Sequence, residues 1–150
     1  MLTIDGNKKW HRGALAKVTL ACALAVGSVA HAGSPTQTFT VTATSTAGWT
    51  IDAQNNPTIT LMRGNVYVFA LQAVSGIHPF YIKTANSTGS ANAFSDGVSG
   101  NGSTGTANIT IDVPVTAPNS LHYNCFNHPM MNGVINVVDN PDLVFKNGFQ

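Results

Sequence analysis

Charge is what this sequence has least of. Only 9% of its 150 residues are Asp, Glu, Lys or Arg, against about a quarter in an ordinary globular domain. The formal net charge is +1, which gives no electrostatic basis for nucleic-acid binding. Long apolar runs are missing as well. The longest uncharged apolar stretch, residues 18–30, falls short of the roughly 20 residues a spanning helix needs. No segment has a capped helical period. There is no G-x-S-x-G, no H-E-x-x-H and no pair of carboxylates placed for acid–base work, so the familiar hydrolytic signatures are excluded. Cysteine is scarce too, with two in the whole chain, Cys22 and Cys125. A multi-disulfide scaffold is therefore ruled out.

The beginning of the chain reads as a targeting segment. Lys8, Lys9, Arg12 and Lys17 form a basic stretch, residues 18–30 an apolar one, and Ala30-His31-Ala32 a small-x-small site. That order describes a secretory signal peptide over residues 1–32, cleaved near Ala32. The expected product is a single domain over residues 33–150 with no membrane span, periplasmic or secreted. It retains Arg63, Lys83 and Lys146 against Asp52, Asp96, Asp112, Asp139 and Asp142, a net charge of −2. Cys125 is then its one thiol. A lone cysteine in an exported protein is a reactive group, an intermolecular bridge or a metal ligand.

The rest reads as strands. Residues 37–46 alternate Phe39, Val41 and Ala43 with threonine, which describes a half-buried strand. Residues 57–61, 66–71, 77–83, 107–113, 120–125 and 133–138 read likewise. The run at 66–71 is apolar enough for burial on both faces, and the strand at 77–83 is expected to begin at His78. With frequent turn signals, such as Arg63-Gly64-Asn65, the pattern predicts an all-β Greek-key sandwich of about seven to eight strands. Residues 84–106 are rich in Gly, Ser, Asn and Ala. They read as a variable crossover loop or as a segment ordered over the sandwich. From about residue 140 a short extension carries Leu143, Val144, Phe145 and Phe149, whose apolar character predicts packing back onto the body.

The chemistry lies in CFNHPMMNG, residues 125–133. Cys125, His128 and Met131 stand at C-x-x-H-x-x-M spacing in a short loop between two expected strands. Thiolate and thioether are soft donors, and two imidazoles, a thiolate and a weak axial thioether make the ligand set of electron-transfer copper sites. His78, ahead of a distant strand, can supply the second imidazole. Met130 competes with Met131. His122 has the opposite strand parity from Tyr123 and Cys125 and reads as a surface residue. Phe80 and Tyr123 read as core. Trp49 and the three N-x-[ST] sequences at Asn86, Asn101 and Asn108 suggest no definite role.

These residues give the chain a resemblance to the cupredoxins, the type 1 blue copper proteins. LMRGNVYVFAL, GIHPFYI and LHYNCFNHPMMNGVINV stand in the order of cupredoxin elements, and the short ligand loop is most similar to that of amicyanin. The resemblance spans roughly residues 39–138. It implies one copper ion cycling between Cu(I) and Cu(II), with His78, Cys125 and His128 as equatorial ligands and Met131 axial. It further implies one-electron transfer rather than catalysis, with redox partner proteins docking near His128. Phe126, Pro129 and Met130 form a candidate docking patch. A copper carrier or metallochaperone with the same ligands, or a metal-free interaction module, are the alternatives. One departure stands out. Many cupredoxins have asparagine after the first histidine, tying the two ligand segments together, whereas Pro79 stands here. The tie has to come from elsewhere, with Asn124 and Asn127 both candidates.

Overall fold

A computed structural model describes residues 35–143. The expected signal peptide, its cleavage site and residues 144–150 of the extension lie outside that range. Ten strands follow one another: β1 (Gln37–Thr42), β2 (Thr50–Ile51), β3 (Gln54–Asn55), β4 (Ile59–Met62), β5 (Val66–Leu71), β6 (Phe80–Lys83), β7 (Val98–Ser99), β8 (Asn108–Asp112), β9 (Ser120–Cys125) and β10 (Asn132–Val138). The seven runs read from the sequence are all strands. The three others are two-residue pairings, too short to leave a pattern. Among the described residues no helix is long and apolar enough to cross a membrane.

The strands form two sheets. One has six strands in the order β3-β2-β1-β5-β8-β7, the other four in the order β4-β10-β9-β6. Both are mixed, because β1 pairs with β5 and β4 with β10 in parallel. Alternation then decides burial. In β4 Ile59 and Leu61 point inward while Thr60 and Met62 point out, and in β1 Phe39 and Val41 do the same. In β5, Tyr67, Phe69 and Leu71 are buried and the residues between them half-buried, so the expected burial on both faces is only partial. An aromatic column crosses the core. Phe39 stacks on Phe69 at 5.0 Å, Phe69 meets Phe80 at 5.4 Å, and Phe80 stacks on Tyr123 at 5.8 Å. Phe80 and Tyr123 are core residues, as their parity requires.

One segment differs from expectation, and another takes one of its two readings. The strand read at 77–83 starts only at Phe80. Proline has no N–H for a ladder, and the amide of His78 turns back to the carbonyl of Ser75 at 2.9 Å. His78 therefore stands just ahead of β6, released from the pleat. Residues 84–106 are ordered over the sandwich. Asn101 replaces a neighbouring strand with its side chain: its amide accepts from Ile82 N at 2.7 Å and donates to the carbonyls of Ile82 and Phe94 at 3.0 and 3.1 Å. At the other end of the molecule Gly64 (φ +76°) makes the turn between β4 and β5, and Leu143 lies against it. The extension thus begins by packing on the body.

Candidate metal centre

Strand β9 runs antiparallel to β6 with Cys125 opposite Phe80, and antiparallel to β10 across the ligand loop. Cys125 ends β9 and is 1% exposed. Its amide donates to the carbonyl of Met131 at 2.9 Å, and the amide of Met131 donates to the carbonyl of His128 at 3.1 Å. These two bonds curl the loop so that His128 turns back toward the thiol. His78 arrives from the far side, 5% exposed.

Three donor atoms converge. The Nδ1 atoms of His78 and His128 lie 3.0 Å apart, and Cys125 Sγ lies 3.8 Å from the first and 3.5 Å from the second. Ligands at bonds of about 2.0–2.3 Å from one ion lie roughly 3–4 Å from each other, which is the spacing found. Among the described residues this is the one group of three such donors. Burial, and then the nearby His128, hold the pKa of His78 below the usual imidazole range. Its neutral form, the one that can ligate, is thereby favoured. Met131 is fully buried at the end of the loop, while Met130 is 68% exposed. His122 is half-buried on the opposite face of β9 and outside the cluster.

The rim of the site is apolar. Ile77, next to His78, is 57% exposed and Phe126 37%; Phe126 and Met130 flank the half-buried His128 in sequence. The interior is sealed by Phe80 and Trp49, whose rings meet edge-on at 4.9 Å. The Trp49 ring also faces the edge of His78 at 6.4 Å.

The backbone of the loop is held almost entirely by neutral donors. Asn127 Nδ2 donates to the carbonyl of Ile77 at 2.7 Å. That is the tie between ligand segments which Pro79 does not supply, and it falls to Asn127 rather than Asn124. Pro79 contributes its carbonyl, which accepts from Phe126 N at 2.9 Å. Asn124 Nδ2 instead donates to Asn86 Oδ1 at 2.5 Å. Asn132 Nδ2 donates to the carbonyl of Pro129 at 2.6 Å. The carbonyl of Met131 takes a second bond, from Trp49 Nε1 at 3.0 Å, and that of Met130 one from Asn56 Nδ2 at 3.1 Å. Trp49 and Asn56 flank the β2–β3 hairpin and bond each other, Trp49 N to Asn56 Oδ1 and Asn56 N to Trp49 O, both at 2.8 Å. Sequence reasoning gave neither a role. No local pattern signals them, since Trp49 acts on a residue 82 positions away.

No family model matches the chain, and no curated protein matches it in sequence. Among solved structures it is similar to the copper protein rusticyanin, with 18% identity and a TM-score of 0.50 over 70% of this chain and 80% of that one. A methionine-to-glutamine variant of rusticyanin gives 16% identity and 0.50 over the same shares. Auracyanin B gives 19% identity and 0.45 over 71% of this chain and 91% of its own. At these identities the rusticyanin likeness establishes the fold alone. That fold is the all-β sandwich of the cupredoxins, as expected from the strand order.

Proposed function

We propose that this chain is an exported mononuclear type 1 copper protein that carries single electrons. The observation that carries the reading is the convergence of two imidazole Nδ1 atoms and one thiol within 3.8 Å of one another. His78, Cys125, His128 and Met131 would hold copper, a mixed soft and borderline donor set suited to both oxidation states. Bound copper would supply a one-electron couple. The chain's own residues do the rest. Trp49, Phe80 and Met131 keep water from the thiolate side, and the amide braces hold the loop so that the ligands move little when charge changes. His128 is the less buried imidazole and the natural exit, with Ile77, Phe126 and Met130 as an apolar surface for a redox partner. The short C-x-x-H-x-x-M spacing, similar to amicyanin, supports this ligand set. Cleavage near Ala32, leaving residues 33–150, would deliver the domain to the periplasm or the exterior.

Optical and EPR spectra of the copper-loaded protein test the reading. An intense thiolate-to-copper band that vanishes in Cys125→Ser is the expected result. A loaded protein without that band, or one whose spectrum survives the substitution, refutes it. Copper delivery is the competing function for the same ligands. It requires ready surrender of the ion to an acceptor, and a loop braced at the carbonyls of Pro129, Met130 and Met131 favours retention. Exchange with a copper chelator separates the two, since a carrier of electrons gives up its ion slowly.

A further inference from the structure

Lys83 ends β6 in an unusual position. It lies opposite His122 in the register that puts Phe80 opposite Cys125, so it is three residues, about 10 Å, along the strand from the thiol's partner. Phe80 and Ile82 point into the core, and Lys83 points to the outer face of the sheet, where a lysine would ordinarily be solvated. Here it is buried, because residues 84–92 fold over it as a strap. Its Nζ donates to the carbonyls of Ser87 and Gly89 at 2.7 and 2.5 Å and reaches Ser87 Oγ at 3.4 Å. It also lies 5.3 Å from the centre of the Tyr81 ring. Three acceptors match the three protons of an ammonium, so the charged form is the satisfied one. The strap then reaches the ligand loop: Gly89 N donates to the carbonyl of Phe126 at 2.7 Å, the residue after Cys125.

Among the described residues this ammonium has no carboxylate partner. The one ion pair among the described residues is Arg63–Asp139, at the opposite end of β10 from the ligand loop. Burying an unpaired charge is costly, and a neutral donor would staple the strap more cheaply. We propose that Lys83 is the positioning residue that sets the redox poise of the metal centre, an uncompensated buried cation locked behind the Cys125 strand that favours the reduced, less positive state of the site. The proposal rests on the copper reading above. Because protein rather than water separates the charge from the site, salt screens the interaction weakly.

The test separates charge from stapling. Lys83→Gln keeps amide donors for the two carbonyls and loses the charge; Lys83→Met loses both. Ser87→Asp leaves Lys83 in place and sets a carboxylate beside it, and it decides the matter if the Lys83 variants do not fold. Redox titration of the copper-loaded proteins should shift the midpoint to lower potential in all three, with the thiolate-to-copper band retained. In the metal-free proteins, hydrogen exchange at the Gly89 amide should stay protected in Lys83→Gln and Ser87→Asp and speed up in Lys83→Met. Unshifted midpoints in Lys83→Gln and Ser87→Asp would overturn the proposal and leave Lys83 a mere staple. A wild-type protein with no thiolate-to-copper band would bring down the copper reading itself, which is a different failure.

Discussion

Replacing Trp49 by phenylalanine should loosen the ligand loop without touching a ligand. The indole is fully buried, and its Nε1 donates to the carbonyl of Met131 at 3.0 Å. Losing that bond should cost about 1 kcal/mol, the usual net value of a buried hydrogen bond. The acceptor is not orphaned, because Cys125 N still donates to it at 2.9 Å, so the larger penalty for an unsatisfied carbonyl does not apply. The smaller ring also leaves a gap three heavy atoms in size, worth about 2 kcal/mol at roughly 0.8 kcal/mol per methylene equivalent. The sum is about 3 kcal/mol. With a urea slope of about 1–3 kcal/mol/M, the midpoint of metal-free unfolding should fall by about 1 M or more. Asn56→Gly removes the neighbouring brace and keeps the positive φ of 43° available. Since Trp49 N donates to Asn56 Oδ1, the double variant should depart from additivity by about 0.5 kcal/mol or more. A loss below about 1 kcal/mol in Trp49→Phe, or strict additivity with Asn56→Gly, would refute the hairpin as a clamp on the loop.

The metal-free protein should lose stability on acidification through His78. Its pKa is held down in the fold by burial and then by His128, so the unfolded chain takes up a proton near pH 6.5 that the fold resists. Stability then falls as pH drops below about 6.5, and His78→Gln should flatten that part of a urea-midpoint profile. Met131→Leu should cost less than about 1.5 kcal/mol yet change the copper spectrum. Met130→Ser, at an exposed site, should stay within about 0.5 kcal/mol and leave the spectrum alone; a reversal would exchange the two methionines' roles. Arg63 donates to the carbonyl of Ala117 at 2.8 Å and to Asn119 Oδ1 at 2.6 Å besides pairing with Asp139. Arg63→Met should therefore cost about 2–3 kcal/mol in thermal or urea unfolding. Asp139→Asn should cost under about 1 kcal/mol, because the Asp139 side chain is 78% exposed.

The sequence made the strands legible because their alternation is local, and it made the ligand loop legible because Cys125, His128 and Met131 stand within seven residues. His78 was reachable only through strand order, and its position ahead of β6 rather than within it followed from a proline whose effect on the ladder had to be seen in place. The braces were hidden for a physical reason. A side-chain amide has no periodicity, and its partner is fixed by tertiary proximity alone, so Asn56, Asn86 and Asn132 carry no mark that separates them from ordinary turn asparagines. Asn127 could be narrowed to one of two and no further. Strand parity puts Lys83 on the outer face, where a lysine is ordinarily solvated. Only the course of residues 84–92 buries it.

The parallel pairing of β4 with β10 has a consequence for the order in which the molecule comes into being. Strand β10 sits between β4 and β9, so before the last strand arrives the smaller sheet consists of β9 paired with β6 and a separate β4. Closing that gap joins segments far apart in sequence, and such contacts incur their loop-closure entropy before they return any stabilisation. Folding should accordingly be slow for a domain of this size, on the millisecond-to-second scale of high-contact-order sandwiches. The hairpin that carries Cys125 and His128 is local, but its second arm is built into the sheet only when it has also found β4. A nascent chain that ends before β10 thus carries all four candidate donors without the pairing that closes their loop.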